Sequence, residues 1–423
     1  MIKPASLPNP ATPDLFHRYL DGRMRAGRGV GNGSQFVFEV RGSVDRELLR
    51  ARLDDLTARL PVLGARLSPW PGRRWSPLPG HVVPIREERL EVPVDVWFGR
   101  HFGEPFAAAD QPSLEIVLGR AADRTAVLVR WLHTLADAPG MDLLCRLLDG
   151  EDPARFKLEA PAGAVVRRAH GQRPGWRRGL DVHGLMLRHI ARSVPRPYQA
   201  RVDRRARQTV SCHTLTRDQT AATWVRADQL GGLDRNAFLV GALARACVRA
   251  WQPPRWRSLR IPVPLSLRPR AWRGPVLGNW FSMILLQVPV RRLRTLEEAV
   301  QTCRAAWRTA LARGEDAATL SLMAPAGQLP GWLARLFLDG PRLQDGATVN
   351  TSYVELESGK SGTWLGQPLE RALIASSILT PPGLAGIFSG CAGRLSVAVP
   401  GQGGAAAQTL HAELVALLLG DTV

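Results

Sequence analysis

The sequence predicts a mixed α/β (α+β) fold organised in two lobes. Segments with strand and helix character follow one another without a regular βαβ rhythm. The second half of the chain repeats this mixed style, and an arginine-rich stretch with several prolines separates the two halves. We therefore place an N-terminal lobe at residues 1–160, a crossover linker at 161–208 and a C-terminal lobe at 209–423.

The first lobe is predicted to begin with a strand–helix unit. Residues 35–40 (QFVFEV) are rich in β-forming residues, and the turn that follows ends at Asp45, a helix-capping residue. Leucines then recur at helical spacing: Leu48, Leu49, Leu53, Leu56, Leu60 and Leu63. Two more strands are predicted at residues 114–118 and 126–132, and the pattern of residues 141–148 predicts a helix.

The linker differs from both lobes in its charge. From Arg167 to Arg207 it contains twelve arginines and only two acids, Asp181 and Asp203. Apolar residues between positions 177 and 194 could form one side of a short helix whose other side carries arginines. Two interpretations stay open: a solvated linker helix packed on one lobe, or an electrostatic dock for an anionic membrane surface or an acidic protein.

The second lobe is predicted to alternate helices and strands. Residues 236–251 form a mostly apolar helix, and residues 296–312 form a helix with two glutamates in its first turn, where they complement the helix dipole. The predicted strands are residues 259–267, 280–288, 347–354 and 394–399. A C-terminal amphipathic helix is predicted at residues 409–419.

Composition and charge narrow the class of protein. Hydrophobic residues make up 45% of the chain, and the net charge of +19 comes almost entirely from arginine. Such a surface favours anionic partners, but no nucleic-acid-binding motif is present. The five cysteines have neither disulfide-framework nor zinc-site spacing. With no signal peptide or membrane-spanning run, a reduced cytoplasmic protein is expected.

The most informative segment is His133-Thr-Leu-Ala-Asp137. The histidine comes at the end of an apolar strand pattern (residues 125–132) and shortly before a helical one. A side chain held in such a turn is fixed by the strand and helix on either side, yet it can face a substrate. His133 is therefore a candidate catalytic residue.

With its neighbours, this segment resembles the HHxxxDG signature of the coenzyme-A-dependent acyltransferase superfamily. The second His and the Asp match, whereas the first His is replaced by Leu132 and the Gly by Ala138. Other segments resemble the family in the same order: residues 42–63 its first strand–helix unit, and residues 264–270 (PLSLRPR) with 277–282 (LGNWFS) its mid-chain segment. Residues 350–353 and 393–396 stand where its late core strands are expected.

The position of the motif separates the subfamilies. Chloramphenicol acetyltransferases carry it near the C-terminus and build the site between subunits, whereas His133 lies in the first third of this chain. That is similar to condensation domains and wax ester synthases, and it implies two chloramphenicol-acetyltransferase-like lobes in a V-shaped pseudo-dimer, each a mixed sheet with helices. The plant DFGWG signature is absent, and the Asn-Asp pair of wax ester synthases appears as Asn236-Ala237.

The resemblance implies acyl transfer from a thioester to a hydroxyl or amine without an acyl-enzyme. His133 would be the general base. Asp137 would pair with Arg268 and fix the loop that carries the histidine, while Asn279 and Ser282 would line the channel or bind an oxyanion. The donor would be acyl-CoA or an acidic acyl carrier protein. The acceptor would be a small molecule, a lipid or a carrier-bound group, as in natural product or lipid biosynthesis.

The resemblance implies no metal and no permanently bound cofactor, and it implies a monomer. One alternative is a catalytically inactive condensation-like module that binds an acidic carrier protein or partner. Another is a peripheral enzyme at the inner membrane face, acting on lipid acceptors through the predicted 177–194 helix. The replacements at Leu132 and Ala138 are the features on which the inactive alternative depends.

Overall fold

The structure is a computed structural model. It describes residues 12–28, 31–68, 74–78, 82–105, 111–156, 206–231, 234–268, 277–317, 319–320, 347–378 and 382–421, with the single residues 7, 10, 198 and 323. The predicted 177–194 helix and most of the predicted linker lie outside these residues.

A six-stranded sheet forms the first lobe, in the order β11-β12-β1-β6-β5-β4. Its central strands are buried on both faces, because helices cover them. The elements up to residue 156 are α1 (Thr12–Arg28), β1 (Gly33–Arg41), α2 (Arg46–Arg59), β2 (Ala65–Leu67), β3 (Trp75–Pro77), β4 (Ile85–Arg89), α3 (Val94–Phe102), β5 (Leu114–Arg120), β6 (Arg124–Leu132) and α4 (Ala138–Asp149).

Helix starts in this lobe follow the local sequence. The carboxylate of Asp45 caps α2 by accepting hydrogen bonds from the backbone N–H groups of Glu47 and Leu48. Helix α2 buries Leu49 against the sheet, but Leu48, counted in the predicted apolar face, is 42% exposed. Asp137 caps α4 in the same way as Asp45 caps α2.

The second lobe contains a four-stranded sheet in the order β10-β13-β14-β7 and a separate hairpin of β8 and β9. Helices α5 to α8 pack around these strands in a second apolar core. The elements are β7 (Gln208–Thr214), α5 (Arg217–Gly231), α6 (Arg235–Trp251), β8 (Ser258–Ser266), β9 (Phe281–Pro289), α7 (Leu296–Ala312), β10 (Asn350–Glu355), β11 (Thr363–Trp364), β12 (Gln367–Ser376), β13 (Ala385–Cys391), β14 (Arg394–Gln402) and α8 (Gly404–Leu419).

Two strands from the second half of the chain belong to the sheet of the first lobe. β12 pairs antiparallel with β1, with Ser34 opposite Ser376 and Phe36 opposite Ile374. The short strand β11 extends the same sheet beyond β12. The range 209–423, placed with the C-terminal lobe from the sequence, therefore contributes two strands to the sheet of the N-terminal lobe.

The long elements lie close to where the sequence predicts them, and the differences have local causes. Helix α8 begins at Gly404, five residues before its predicted start. The prediction placed the start too late because the small residues at the beginning of the helix carry no amphipathic pattern. The sequence pattern did not predict the helices α1, α3 and α5 or the strands β2, β3, β4, β7, β11, β12 and β13.

The described residues also show the state of the cysteines, the character of the helices and the grouping of possible metal ligands. All five cysteines are unpaired. Within the ranges above, no helix combines the length and apolar character needed to cross a membrane. The same residues contain no cluster of histidine, cysteine and carboxylate side chains that could hold a metal ion.

Candidate functional site

His133 stands directly after the buried strand β6 and five residues before α4. β6 pairs with β1 on one side and β5 on the other, so its end is held firmly. The backbone N–H of His133 donates a hydrogen bond of 2.8 Å to the carbonyl of Asn32. The histidine is thus fixed at its backbone while its side chain is only half-buried.

The carboxylate of Asp137 joins the loop after β6 to the segment before β9. Its Oδ1 accepts hydrogen bonds from the Gly140 backbone N–H at 2.8 Å and from Arg268 Nη2 at 2.8 Å. Its Oδ2 accepts one from the Trp280 backbone N–H at 2.7 Å. Asp137 and Arg268 therefore form the expected ion pair, and the carboxylate is engaged in structural bonds.

Backbone contacts at Gly278 strengthen this junction. The Gly278 N–H donates to the Leu135 carbonyl at 2.9 Å, and its own carbonyl accepts from Asp137 N at 3.3 Å and from Arg268 Nη2 at 3.2 Å. The φ angle of Gly278 is +96°, a conformation that a side chain would strain. Glycine at this position lets the two chain segments lie side by side.

Asn279 orients the imidazole of His133. Its Nδ2 donates to the His133 carbonyl at 2.7 Å and to Asp14 Oδ1 at 2.8 Å, and both of these atoms can only accept. The amide oxygen must therefore be the atom that lies 3.1 Å from His133 Nδ1. A carbonyl oxygen cannot donate, so the hydrogen is on Nδ1 and Nε2 carries the lone pair.

Two further site residues come from helix α1. Asp14 holds Asn279, accepting from both its side-chain and its backbone nitrogen. His17 stacks on His133, with ring centroids 3.8 Å apart and an angle of 8° between the planes. Sequence reasoning missed both residues, although Pro13 and Asp14 after Thr12 are a helix-start signal that could have located α1.

Burial sets the charge state of both imidazoles. It lowers the pKa of His133, against opposing contributions from a backbone hydrogen bond, the Asp137 carboxylate and Asn279. Burial and repulsion from His133 hold the pKa of His17 well below its usual range. Both rings are therefore neutral at pH 7.

The two histidines line a cavity of about 250 Å³ between the lobes. Its walls come from β1 and β12 of the first sheet and from β8, β10 and β13 of the second lobe. The lining residues include His17, His133, Phe281, Tyr353, Ile374 and Ile387. A cavity of this size can enclose the reacting part of a substrate and exclude bulk water from it.

The two residues that replace the His and the Gly of the motif fit their positions without backbone strain. Leu132 is 2% exposed and packs in the core as the last residue of β6. Ala138 is the first residue of α4 and lines the cavity. Its backbone is helical and its φ is not positive, so its methyl group causes no backbone strain.

Asn279 and Ser282 do not occupy the positions expected for channel or oxyanion residues. Both are fully buried, and neither lines the cavity. The amide of Asn279 is used by Asp14 and His133, and the hydroxyl of Ser282 donates to the Asp316 carbonyl. Asn279 instead orients His133, and Ser282 ties β9 to the segment after α7.

Comparisons with known proteins place this architecture. No protein-family model and no curated protein sequence matches the chain. Among solved structures, the first condensation domain of the calcium-dependent antibiotic synthetase, in complex with a substrate analogue, is similar with a TM-score of 0.70 and 19% identity, covering 98% of this chain and 96% of that one.

Two further structures are similar over nearly the whole chain. Trichothecene 15-O-acetyltransferase from Fusarium sporotrichioides has a TM-score of 0.69 at 13% identity, covering 96% of this chain and 94% of that one. A mutant starter condensation domain of rhizomide synthetase, in complex with C8-CoA and Leu-SNAC, has a TM-score of 0.63 at 14% identity, with coverages of 98% and 94%. The predicted α/β pseudo-dimer is confirmed: the chain has the fold of these condensation domains and of trichothecene 15-O-acetyltransferase.

Proposed function

We propose that this protein transfers an acyl group from a thioester to a hydroxyl or amine acceptor, with His133 as the general base. The observation that supports this most directly is the contact between His133 Nδ1 and Asn279 Oδ1, which leaves the Nε2 lone pair free for a proton. The imidazole is neutral at pH 7 and lines a cavity of about 250 Å³. A base that is both oriented and unprotonated is what the attack of a neutral nucleophile requires.

The reaction balances without an acyl-enzyme. The acceptor O–H or N–H gives its proton to His133 Nε2 as its heavy atom bonds to the thioester carbonyl carbon. The tetrahedral adduct then collapses, the C–S bond breaks, and the thiolate takes the proton from Nε2. Asp137 and Arg268 do not exchange protons in this scheme; they hold the loop in place, so that acceptor and thioester meet in line.

A second cavity supports an anionic donor. It has a volume of about 840 Å³ and shares Tyr353 with the first. Four cationic side chains line it, against two carboxylates, Asp234 and Glu355. The cations are Arg235, Arg304, Arg308 and Lys360. Coenzyme A and the phosphopantetheine arm of a carrier protein both carry phosphate on a long chain, which suits an open cationic cleft beside the cavity that His133 lines.

The test compares His133→Ala with wild type against a panel of acyl-CoA and acyl-pantetheine thioesters, with thiol release as the readout. Loss of the base is expected to lower kcat by about a hundredfold to ten-thousandfold. Unchanged turnover in His133→Ala would refute the role of His133. Thioester binding without thiol release in either protein would instead favour the inactive, carrier-binding alternative.

The donor cleft is tested separately. The double variant Arg304→Glu/Arg308→Glu is expected to raise KM for acyl-CoA, with a smaller effect on the phosphate-free N-acetylcysteamine thioester. Arg291→Glu/Arg292→Glu is the charge-matched control, because Arg291 and Arg292 are exposed and do not line the cleft. Equal KM changes in the double variant and the control would show that only net charge matters.

A further inference from the structure

His17 holds its hydrogen on the atom that faces away from Asn32. Asn32 Nδ2 lies 2.9 Å from His17 Nδ1 and also reaches the His17 carbonyl at 3.4 Å, so the amide nitrogen is the group that faces this residue. Since that nitrogen donates, Nδ1 accepts. The neutral ring therefore carries its hydrogen on Nε2.

This Nε2–H group has no hydrogen-bond partner among the described residues, although it is buried. The whole residue is only 6% exposed. An unsatisfied buried donor costs free energy, and such groups are rare in native proteins unless they have a function. The ring of His17 lines the same cavity as His133, so the unused donor lies on a ring that borders the reaction pocket.

The stacking of the two rings brings a hydrogen-bond acceptor on His133 and a hydrogen-bond donor on His17 close together. His133 presents a lone pair and His17 presents a hydrogen, on rings 3.8 Å apart and nearly parallel. In the tetrahedral adduct, the attacking atom and the oxyanion are bonded to the same carbon and lie side by side. Two stacked imidazoles can therefore contact the two atoms at once, one accepting and the other donating.

The two oxyanion candidates expected from the sequence, Asn279 and Ser282, are already engaged. The Asn279 amide and the Ser282 hydroxyl both bond to protein atoms, as described above. His17 is held neutral, and a neutral imidazole can donate to a developing oxyanion without being a strong acid.

We propose that His17 is a catalytic residue that donates its Nε2–H to the carbonyl oxygen of the acyl thioester and to the oxyanion that forms from it. The proposal rests on the proposed acyl-transfer function. It adds to the general base a hydrogen-bond donor for the carbonyl oxygen, and this donor lies on helix α1.

Three substitutions at His17 separate donation from packing. His17→Phe keeps an aromatic ring against His133 but has no donor. His17→Gln loses the ring and can place an amide N–H near the position of Nε2, and His17→Asn can contact Asn32 but reaches no further. Melting temperatures of all three accompany the kinetics.

Donation predicts that kcat falls by about a hundredfold to a thousandfold in His17→Phe, the usual effect of removing one oxyanion donor. His17→Asn should fall similarly, and His17→Gln should retain more activity than either. The acidic limb of the pH–rate profile should not move in His17→Phe, since it reports His133. Wild-type kcat in His17→Phe, or equal losses in His17→Phe and His17→Gln, would assign His17 a packing role and overturn the proposal.

A second measurement needs no turnover. Octanoyl-CoA labelled with carbon-13 at the carbonyl is bound to His133→Ala and to His133→Ala/His17→Phe, and the infrared carbonyl stretch is compared. A lower frequency in His133→Ala that is lost in the double variant supports donation by His17, and identical frequencies overturn it. If His133→Ala turned over like wild type, the general-base assignment would fail, while this comparison would still decide the role of His17.

Discussion

The Asp137–Arg268 pair offers a quantitative test of how the loop carrying His133 is held. The side chains are 8% and 11% exposed, and the carboxylate also accepts two backbone N–H bonds. Removing one partner of such a buried pair leaves an uncompensated charge and costs about 3–5 kcal/mol. We expect Asp137→Asn to lie near about 4 kcal/mol and Arg268→Met near about 3 kcal/mol, because the carboxylate keeps its backbone donors.

The double variant removes both charges, so it should cost less than the sum of the two single variants. We expect an interaction energy of about 2–3 kcal/mol, measured as the free energy of unfolding in urea with m-values that stay constant. The exposed pair Arg294–Glu298 is the control cycle, and it should be nearly additive because solvent screens it. Additivity within about 0.5 kcal/mol at Asp137 and Arg268 would refute the idea that the pair acts as one buried unit.

Three further predictions concern the base, a buried acid and two glycines. Asn279→Ala should lower kcat by about tenfold to a hundredfold, the usual effect of removing a residue that orients a functional imidazole. In the wild type, the acidic limb of the kcat/KM profile should lie below pH ~6.5, because burial lowers the pKa of His133. Burial raises the pKa of Asp142 to about 6, so the folded state keeps a proton that the unfolded state has lost. The contribution of Asp142 to stability should therefore fall by about 3 kcal/mol between pH ~4 and ~6, and the difference between the pH–stability curves of wild type and Asp142→Asn should show this slope. Gly241→Ala should destabilise the protein by about 1–3 kcal/mol, because the new Cβ would lie 2.7 Å from the backbone of α7, whereas Gly22→Ala in α1 has open space and should be neutral or stabilising.

Each of these has a clear contrary outcome. Turnover unchanged in Asn279→Ala would show that the imidazole needs no orienting partner. Parallel pH–stability curves for wild type and Asp142→Asn, by urea denaturation across the pH range, would place the titrating group elsewhere. Equal melting temperatures for the two glycine variants would mean that α6 and α7 tolerate a wider spacing.

The sequence was informative where local pattern and tertiary position agree. β6 is mostly apolar and is buried from Thr125 to Leu132, although it contains the buried Arg130. Asp137 caps α4, as its place before a helical pattern indicates. The same locality makes the site around His133 predictable as a turn between a strand and a helix. The pairing of Asp137 with Arg268 was predicted only through the family resemblance, because 131 residues separate the two in sequence.

The remaining site residues could not be placed because their roles depend on contacts distant in sequence. Asn279 follows a glycine, as a turn residue would, and only the positions of Asp14 and His133 reveal that its amide is fully used. His17 lies on an amphipathic helix, and nothing local indicates that its ring stacks on another histidine. For Ser282 the strand position was predictable, but the carbonyl that accepts its hydroxyl hydrogen was not.

The pairing of β1 with β12 also has a consequence for the order in which the chain can fold. The hydroxyls of Ser34 and Ser376 meet across 342 residues of sequence, so this edge of β1 has no partner until nearly nine-tenths of the protein has left the ribosome. Contacts so distant form late and slow folding, and an open strand edge can pair with other chains. We expect nascent chains that end before residue 367 to depend on chaperones, and full-length protein to lose that dependence once β12 is in place.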